Sequence, residues 1–303
     1  MNSSLYTLGT AQLGMPYGVA NKLGKPDIKQ AFNLLDKAVA LGIRSFDTAT
    51  AYGNSEEILG DYFYQNQGIE HEIITKIKPL ILDSQTPEDV AIQEVNESVQ
   101  VSLERLKIES IPVLLFHRYD NLIWENCCLL DYLNKLSYIK KIGVSVYTPE
   151  QAVTAIGLDG ISAIQLPTNL LDMRFIKARV FDLAEKKDIR IYIRSVYLQG
   201  LILMNIEEIP SYLKVAEPFI RRLRELSDYY NLSLQEFTVS FLKAIPGDNQ
   251  IVIGCEAPEQ VTENARLIKS VSQMNREIRE KLFEKMGDIP DYVINPSLWK
   301  VNI

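Results

Sequence analysis

Three features that mark whole classes of protein are scarce in this sequence: cysteine, histidine and positive charge. The 303 residues include three cysteines and two histidines, and the formal net charge is −7. Surfaces that bind nucleic acid are basic, so this charge argues against a nucleic-acid partner. Cys127, Cys128 and Cys255 are odd in number and lack metal-ligand spacing. We therefore expect no metal site, and buried free thiols in a reducing cytoplasm.

Long hydrophobic segments are missing as well. No run of about 18 apolar residues occurs, so no membrane-spanning helix is expected. The first twelve residues lack the charged and apolar regions of a secretory signal, so no signal peptide is predicted. The hydrophobic fraction of 47% and the charged fraction of 23% are ordinary for a globular protein. These absences favour a cytoplasmic globular protein without a membrane partner.

Short apolar runs alternate with longer segments of helical periodicity. The eight candidate strands are residues 6–9, 45–47, 72–75, 111–116, 141–144, 163–166, 190–194 and 251–253. The candidate helices are residues 28–41, 55–64, 87–106, 122–136, 149–156, 175–186, 218–230, 234–244 and 258–269. This alternation predicts an α/β fold with a parallel sheet, and eight repeats favour a closed (β/α)8 barrel of the TIM type. We expect residues 1–303 to form one barrel domain, with an extra C-terminal helix near residues 275–285 and a tail over residues 287–303.

Polar, titratable side chains stand at or just after three of the predicted strands. Asp47 ends the second strand, and Tyr52 follows it by five residues; Lys76 and His117 follow the third and fourth strands. Side chains at the carboxyl ends of barrel strands converge on one mouth, where such barrels build active sites. Taken singly, each could be a cap or a solvated surface group. Together, after three strand ends, the four predict an active site at the barrel mouth.

These four residues, in this order and spacing, resemble the catalytic tetrad of the aldo-keto reductases. Other similar segments run from residues 8–11 to residues 263–264, so the resemblance covers nearly the whole chain. It implies NAD(P)H-dependent reduction of an aldehyde, ketone or sugar-type carbonyl to an alcohol, or the reverse reaction. It also implies an enzyme whose partner is a small carbonyl compound.

The resemblance assigns each member of the tetrad a role. Tyr52 would donate the proton to the carbonyl oxygen, although a free phenol, with a pKa of about 10, is a weak acid. Lys76 would be the neighbouring ammonium that lowers this pKa, and Asp47 its counter-charge. His117 would help to donate the proton or orient the carbonyl through a hydrogen bond.

No G-x-G-x-x-G motif follows the first strand, so the Rossmann fingerprint is absent. The family instead binds an extended nicotinamide dinucleotide across the barrel mouth. The resemblance implies that Ser145 and Gln165 contact the nicotinamide carboxamide, with Val146 where the family usually has asparagine. Arg194 stands where the family usually stacks an aromatic ring on the nicotinamide. We expect its guanidinium to lie against the nicotinamide or face the substrate.

The rest of the cofactor would lie on loops that follow other strands. The remaining predicted contacts are Thr10, Ser195, Gly200, Gly254, Glu256, Gln260 and Asn264. NADP(H) is the expected cofactor from the resemblance. Glu256 makes NAD(H) use plausible, because a carboxylate repels a 2′-phosphate but can accept a hydrogen bond from a 2′-hydroxyl.

Two alternatives to an enzyme of this kind stay open. Potassium-channel β subunits share the fold and serve mainly as partners, so a cofactor-binding regulatory subunit with little turnover is one. A barrel with unrelated chemistry is the other. The candidate residues of the mouth are mostly polar and favour sugar-like or anionic substrates; they are Tyr17, His117, Arg118, Asn169, Arg194 and Trp299. The sequence leaves the oligomeric state open.

Overall fold

A closed barrel of eight parallel strands forms the centre of the computed structural model, which describes residues 5–299. The strands are β1 Tyr6–Gly9, β2 Ser45–Asp47, β3 Glu72–Ile77, β4 Val113–Phe116, β5 Ile142–Ser145, β6 Ile161–Pro167, β7 Arg190–Arg194 and β8 Asn249–Gly254. Each strand pairs with the next along the chain, and β8 pairs with β1. The predicted (β/α)8 barrel is confirmed.

Helices surround the barrel. They are α1 Ala11–Gly14, α2 Ile28–Ala40, α3 Ser55–Gln65, α4 Glu88–Leu106, α5 Tyr119–Ile123, α6 Cys128–Leu133, α7 Pro149–Ile156, α8 Arg174–Lys177, α9 Val180–Lys186, α10 Glu217–Tyr229, α11 Leu234–Lys243, α12 Pro258–Ser270, α13 Arg276–Met286 and α14 Asp291–Ile294. Capping boxes at Asp27 and Ser233 start α2 and α11, because each side chain accepts a backbone N–H of the first turn. Such local signals make these helix starts predictable from sequence.

Burial on both faces explains why the strands read as nearly continuous apolar runs. All four residues of β4 are buried. The barrel interior is filled by six buried side chains from β3 to β8: Ile74, Val113, Leu115, Ala163, Tyr192 and Val252. A second, larger core lies between the barrel and its helices. A barrel packed in this way has its functional groups at the mouth, not along an axial channel.

The helix predicted over residues 122–136 is interrupted. It is divided into α5, a 3-10 turn over Trp124–Cys127, and α6. The cause is local: Glu125, Asn126 and Cys127 have φ angles of 42°, 54° and 68°. A backbone with positive φ cannot continue a right-handed helix.

Two other predicted elements have different bounds in the structure. The helix predicted over residues 175–186 is split into α8 and α9, because Arg179 has a φ of 57°. The strand predicted over residues 111–116 begins at Val113, and Ile111 forms an isolated bridge instead.

The extra C-terminal helix is present as α13, and the shorter α14 follows it. Residues 300–303 of the predicted tail lie outside the described residues. Among residues 5–299, none of the helices has the length and apolar character needed to cross a membrane.

Candidate active site

A buried ion pair anchors the predicted tetrad. Asp47 is the last residue of β2, and Lys76 lies near the end of the neighbouring β3. The Lys76 Nζ donates to Asp47 Oδ1 at 2.8 Å and to the carbonyl oxygen of Thr48 at 2.7 Å. The Gln165 Nε2 donates to the same Asp47 oxygen at 2.7 Å. The Lys76 side chain is only 1% exposed, so the ion pair is buried at the barrel mouth, and these hydrogen bonds fix its geometry.

The other two members of the tetrad lie beside this pair. The Lys76 Nζ is 4.8 Å from the centre of the Tyr52 ring. The Tyr52 and His117 rings meet edge to face, with their centres 5.9 Å apart. The structure therefore brings all four residues of the predicted tetrad together.

The pKa of Tyr52 shifts in the direction opposite to the expected one. Burial and the negative charge of Asp47 raise the pKa of the Tyr52 phenol well above its ordinary value, while Arg194 only partly opposes this. The expected net lowering of this pKa is not found, because burial and the charge of Asp47 outweigh any effect of Lys76, which faces the ring and is paired with Asp47. Tyr52 therefore holds its proton at neutral pH.

His117 is a neutral imidazole. Burial and the positive charges of Lys76 and Arg194 lower the pKa of His117 to about 3. Its buried Nδ1 has no hydrogen-bond partner among the described residues. A neutral ring can orient a carbonyl through one N–H, but it does not carry a proton to release near pH 7. Of the two predicted roles of His117, the geometry favours orientation.

A chain of hydrogen-bonded, buried hydroxyl groups contacts the tetrad at Asp47. The Thr10 Oγ1 donates to the carbonyl oxygen of Asp47 at 2.8 Å. The Ser55 Oγ lies 2.7 Å from Thr10 Oγ1 and accepts from Thr48 Oγ1 at 3.0 Å. This network connects the ends of β1 and β2 to the start of α3. Sequence reasoning missed Thr48 and Ser55, since polar residues before a helix ordinarily indicate only a cap.

Two glycines let the Tyr52 turn pack closely on α1. A Cβ at Gly14 would overlap the carbonyl oxygen of Tyr52, and one at Gly53 would overlap the Gly14 carbonyl. Gly53 also has a φ of 57°, which glycine adopts at little cost. The position of the phenol is thus fixed by backbone contact as well as by the hydroxyl network.

A cavity of about 720 Å³ opens beside Tyr52. Predicted site residues that line it are Thr10, Asp47, Tyr52, Gln165, Arg194, Ser195, Gly200, Gly254, Glu256, Gln260 and Asn264. Ser145 is buried and is not among the residues that line the cavity, and its contact with a carboxamide stays a prediction. Lys76 and His117 are not among the lining residues, but both contact the Tyr52 ring.

The cavity has two chemically different sides. The tyrosine side contains Tyr17, Asp47, Tyr52, Gln165 and Arg194. The acidic side contains Glu256, Glu259, Gln260, Glu263 and Asn264. Of the mouth residues predicted from sequence, Tyr17 and Arg194 line the cavity, whereas Arg118, Asn169 and Trp299 do not.

Arg194 ends β7 and is half-buried. Its guanidinium carbon lies 4.4 Å from the centre of the Tyr147 ring. Its Nη1 donates to the Ser195 Oγ at 3.3 Å, and its Nη2 donates to the Val146 carbonyl at 3.2 Å. The residue that replaces the family's usual aromatic ring is therefore itself stacked on an aromatic ring.

Two loops meet along the cavity. The backbone N–H of Ala20 donates to the Gln199 carbonyl at 3.3 Å, and Lys22 pairs with Glu208 at 2.6 Å. Gly200 has a φ of 89°, and a Cβ there would overlap the Ala20 side chain. Sequence reasoning missed Lys22, Gln199 and Glu208, because no local pattern signals a contact between such distant segments.

Among residues 5–299, Glu256 forms no ion pair with a lysine or arginine. The Gln260 Oε1 accepts from the Glu256 backbone N–H at 2.7 Å, which orders the loop after β8. Burial raises the pKa of the Glu256 carboxyl. The nearest basic residue in sequence, Arg266, is paired with Glu263 at 2.7 Å. This arrangement disfavours a further negative charge.

These linings fit an extended nicotinamide dinucleotide. An amide and a phenol lie on the tyrosine side, and Asn264 lies on the acidic side. Gly200 and Gly254 also line the cavity. No group of His, Cys, Asp or Glu that could hold a metal ion occurs within residues 5–299.

Comparison with known proteins places the chain in a family. The profile of the Aldo/keto reductase family matches residues 7–282, and the chain belongs to that family. A relative from Bacillus subtilis, the uncharacterized oxidoreductase YqkF, is 26% identical over 267 residues, which cover 82% of this chain and 86% of the relative. The aldo-keto reductase str7 of Strobilurus tenacellus is 28% identical over 202 residues, covering 65% and 58% of the two chains.

A solved structure shares the fold. The glycerol dehydrogenase AKR11B4 from Gluconobacter oxydans has a TM-score of 0.72 and 21% identity, and the match covers 94% of each chain. Family membership makes the protein an oxidoreductase, with a nicotinamide cofactor and NAD(P)H-dependent carbonyl reduction as the general activity.

Proposed function

We propose that this protein reduces the carbonyl group of a small molecule to an alcohol, or catalyses the reverse, with Tyr52 as the proton donor. The observation that carries the proposal is the position of the Tyr52 phenol, which lines the cavity beside the buried Lys76–Asp47 pair. We propose one barrel domain over residues 1–303 as the unit that acts.

The Tyr52 phenol keeps its proton until the substrate carbonyl is reduced. A bound nicotinamide would supply the hydride. The raised pKa of Tyr52 keeps the phenol protonated in the resting site. As negative charge develops on the carbonyl oxygen, the phenol becomes the nearest acid, and proton transfer stabilises that charge. The ammonium of Lys76, 4.8 Å from the ring centre, then stabilises the phenolate that remains.

The other members of the site fix positions. His117, as a neutral ring, would donate one N–H to the carbonyl oxygen and hold it near the phenol. Asp47 holds Lys76, while Gln165 keeps its amide oxygen available to the nicotinamide carboxamide because its nitrogen already donates to Asp47. Preorganised donors of this kind act without reorganisation during the reaction.

NADH is proposed as an accepted cofactor beside NADPH. The acidic side places Glu256, Glu259 and Glu263 along the cavity, and the neighbouring cations Lys22 and Arg266 are already paired with acids. A 2′-phosphate would meet like charge there, whereas a 2′-hydroxyl could donate to a carboxylate.

The proposal is tested by steady-state turnover. Purified protein is mixed with NADH or NADPH and a panel of aldehydes, ketones and aldoses, and the oxidation of cofactor is followed by absorbance. We expect sustained turnover with at least one carbonyl compound. Tight cofactor binding with no oxidation across the panel would indicate the regulatory subunit instead, and absence of cofactor binding would indicate unrelated chemistry.

A further inference from the structure

We propose that Arg194 forms a subsite for an anionic group, a carboxylate or a phosphate, carried by the carbonyl substrate. This inference rests on the proposed function and adds the substrate class. Arg194 shares the tyrosine side of the cavity with Tyr52, so a substrate whose carbonyl oxygen reaches the phenol also comes within the field of the guanidinium.

The guanidinium has unused donors. A guanidinium has five N–H donors. In Arg194 the described acceptors are two neutral oxygens, the Ser195 hydroxyl and the Val146 carbonyl. None of the carboxylates within residues 5–299 comes within ion-pairing distance of it, whereas the half-buried Arg174 and Arg190 are each paired with aspartates. The charge of Arg194 is therefore uncompensated at the cavity wall.

The other charges of the tyrosine side cancel. Lys76 is paired with Asp47, and Tyr52 and His117 are both neutral near pH 7. The phenol of Tyr17 also lines the cavity here, and burial raises its pKa to about 12, so it carries no charge near pH 7. One positive charge thus remains in a half-buried site, and a substrate anion would compensate it.

Stacking gives the subsite a defined shape. The guanidinium lies over the Tyr147 ring at 4.4 Å, and its bond to the Val146 carbonyl fixes its rotation. A planar guanidinium held in this way presents parallel N–H groups that match the two oxygens of a carboxylate or phosphate. The Tyr147 ring and the Val146 carbonyl both belong to the segment that follows β5, not to the loop and helix start that form the acidic side.

Matched substrates test the inference. 4-Carboxybenzaldehyde and its methyl ester have nearly the same shape and differ by one negative charge; glyceraldehyde 3-phosphate and glyceraldehyde form the phosphate pair. We expect the wild-type kcat/KM to favour the anion of at least one pair by roughly 10- to 100-fold, the range of a charged hydrogen bond. Arg194→Gln should reduce that preference to within about 3-fold.

Arg222→Gln is the matched control. Arg222 is also stacked on an aromatic ring, with its guanidinium carbon 5.8 Å from the centre of the Phe219 ring, and it donates to the Lys285 carbonyl at 3.0 Å. It does not line the cavity. This variant should keep the wild-type preference for the anion.

A binding measurement separates the substrate subsite from cofactor binding and from turnover. Calorimetry is used to compare the affinities of 4-(hydroxymethyl)benzoate, its methyl ester, glycerol 3-phosphate and NADH for wild type and Arg194→Gln. Loss of anion affinity with little change for NADH supports the subsite, even if no carbonyl is turned over and the proposed function fails. Equal use of both members of both pairs by an active wild type, or a loss confined to NADH affinity, would overturn it.

Discussion

The two sides of the cavity differ in how deeply their residues are buried and in the contacts that hold them. On the tyrosine side, Asp47 and Lys76 are 5% and 1% exposed and bonded to each other. On the acidic side, Glu256 is half-buried and Gln260 is exposed, and their contact uses a backbone N–H. The first side is part of the barrel's interior structure, whereas the second is a loop and a helix start. The catalytic residues therefore belong to the packed barrel, whereas the residues expected to set cofactor preference lie on a more exposed loop and helix start.

The energies of the two kinds of interaction differ accordingly. Removing one partner of a buried ion pair costs about 3–5 kcal/mol, because the other charge is left uncompensated. Exposed pairs such as Arg266–Glu263 contribute little to stability, because solvent screens their charges. Changes to the buried Lys76–Asp47 pair should thus affect stability and rate together, and changes on the acidic side should affect only binding.

Lys76→Met should have the largest effect, because it removes a buried charge and the neighbour of the phenol. We expect a loss of kcat of about 100-fold or more, together with a decrease in the free energy of unfolding of about 3–5 kcal/mol. Urea unfolding and single-turnover kinetics measure the two effects, and circular dichroism checks the folded fraction. A folded, fully active variant would contradict the role of Lys76.

Tyr52→Phe should abolish the chemistry while leaving the fold intact. The ring and its contacts with Lys76 and His117 are kept, and only the hydroxyl is lost. We expect kcat to fall by at least about 100-fold, with little change in cofactor affinity. Tyr64→Phe, at a residue that is 61% exposed, is the control and should behave as wild type. Near-normal turnover in Tyr52→Phe would end the assignment of Tyr52 as the proton donor.

Glu256→Lys should change cofactor preference without changing stability. Replacing a carboxylate with an ammonium on the acidic side should shift the ratio of kcat/KM values toward NADPH by about 10-fold. Glu284→Lys, at an exposed residue that does not line the cavity, controls for net charge. A wild-type preference for NADPH above about 100-fold, roughly 2.7 kcal/mol, would show that Glu256 points away from the ribose.

The smallest expected effect concerns His117. With its pKa lowered to about 3, the imidazole is neutral at every pH well above that value. The profile of kcat/KM between about pH 5 and pH 8 should therefore show no histidine ionisation near the ordinary value of about 6.5. A step near pH 6.5 that is present in wild type and absent in His117→Gln would contradict the neutral ring.

The barrel and the gathering of the four tetrad candidates at its mouth could be predicted from sequence, because both depend on local patterns. Apolar runs mark the strands, and Asp47, Lys76 and His117 stand at or near their ends. The break at Glu125 and Cys127 escaped prediction, since no glycine or proline signals the positive φ angles there.

Properties that depend on tertiary surroundings could not be read from sequence. The pKa direction of Tyr52 is set by burial and by Asp47, whose position relative to the phenol is fixed only in the folded barrel. The contact between Thr10 and Ser55 and the pairing of Lys22 with Glu208 join segments that are far apart in the chain. The burial of Ser145 also depends on tertiary structure, because it follows from the pairing of β5 with β6, in which Ser145 lies opposite Gln165.

The central claim is that a carbonyl compound is reduced at the tyrosine side with a proton from Tyr52. The most direct measurement uses the reduced cofactor and the carbonyl compound that the turnover screen identifies, with deuterium at both hydrogens of nicotinamide C4, and follows the label into the alcohol product by mass spectrometry in wild type and in Tyr52→Phe. The account predicts deuterium on the carbinol carbon with wild type and, over the same time, at least about 100-fold less labelled product with Tyr52→Phe. Unlabelled alcohol from wild type, or equal labelling by both proteins, would contradict it.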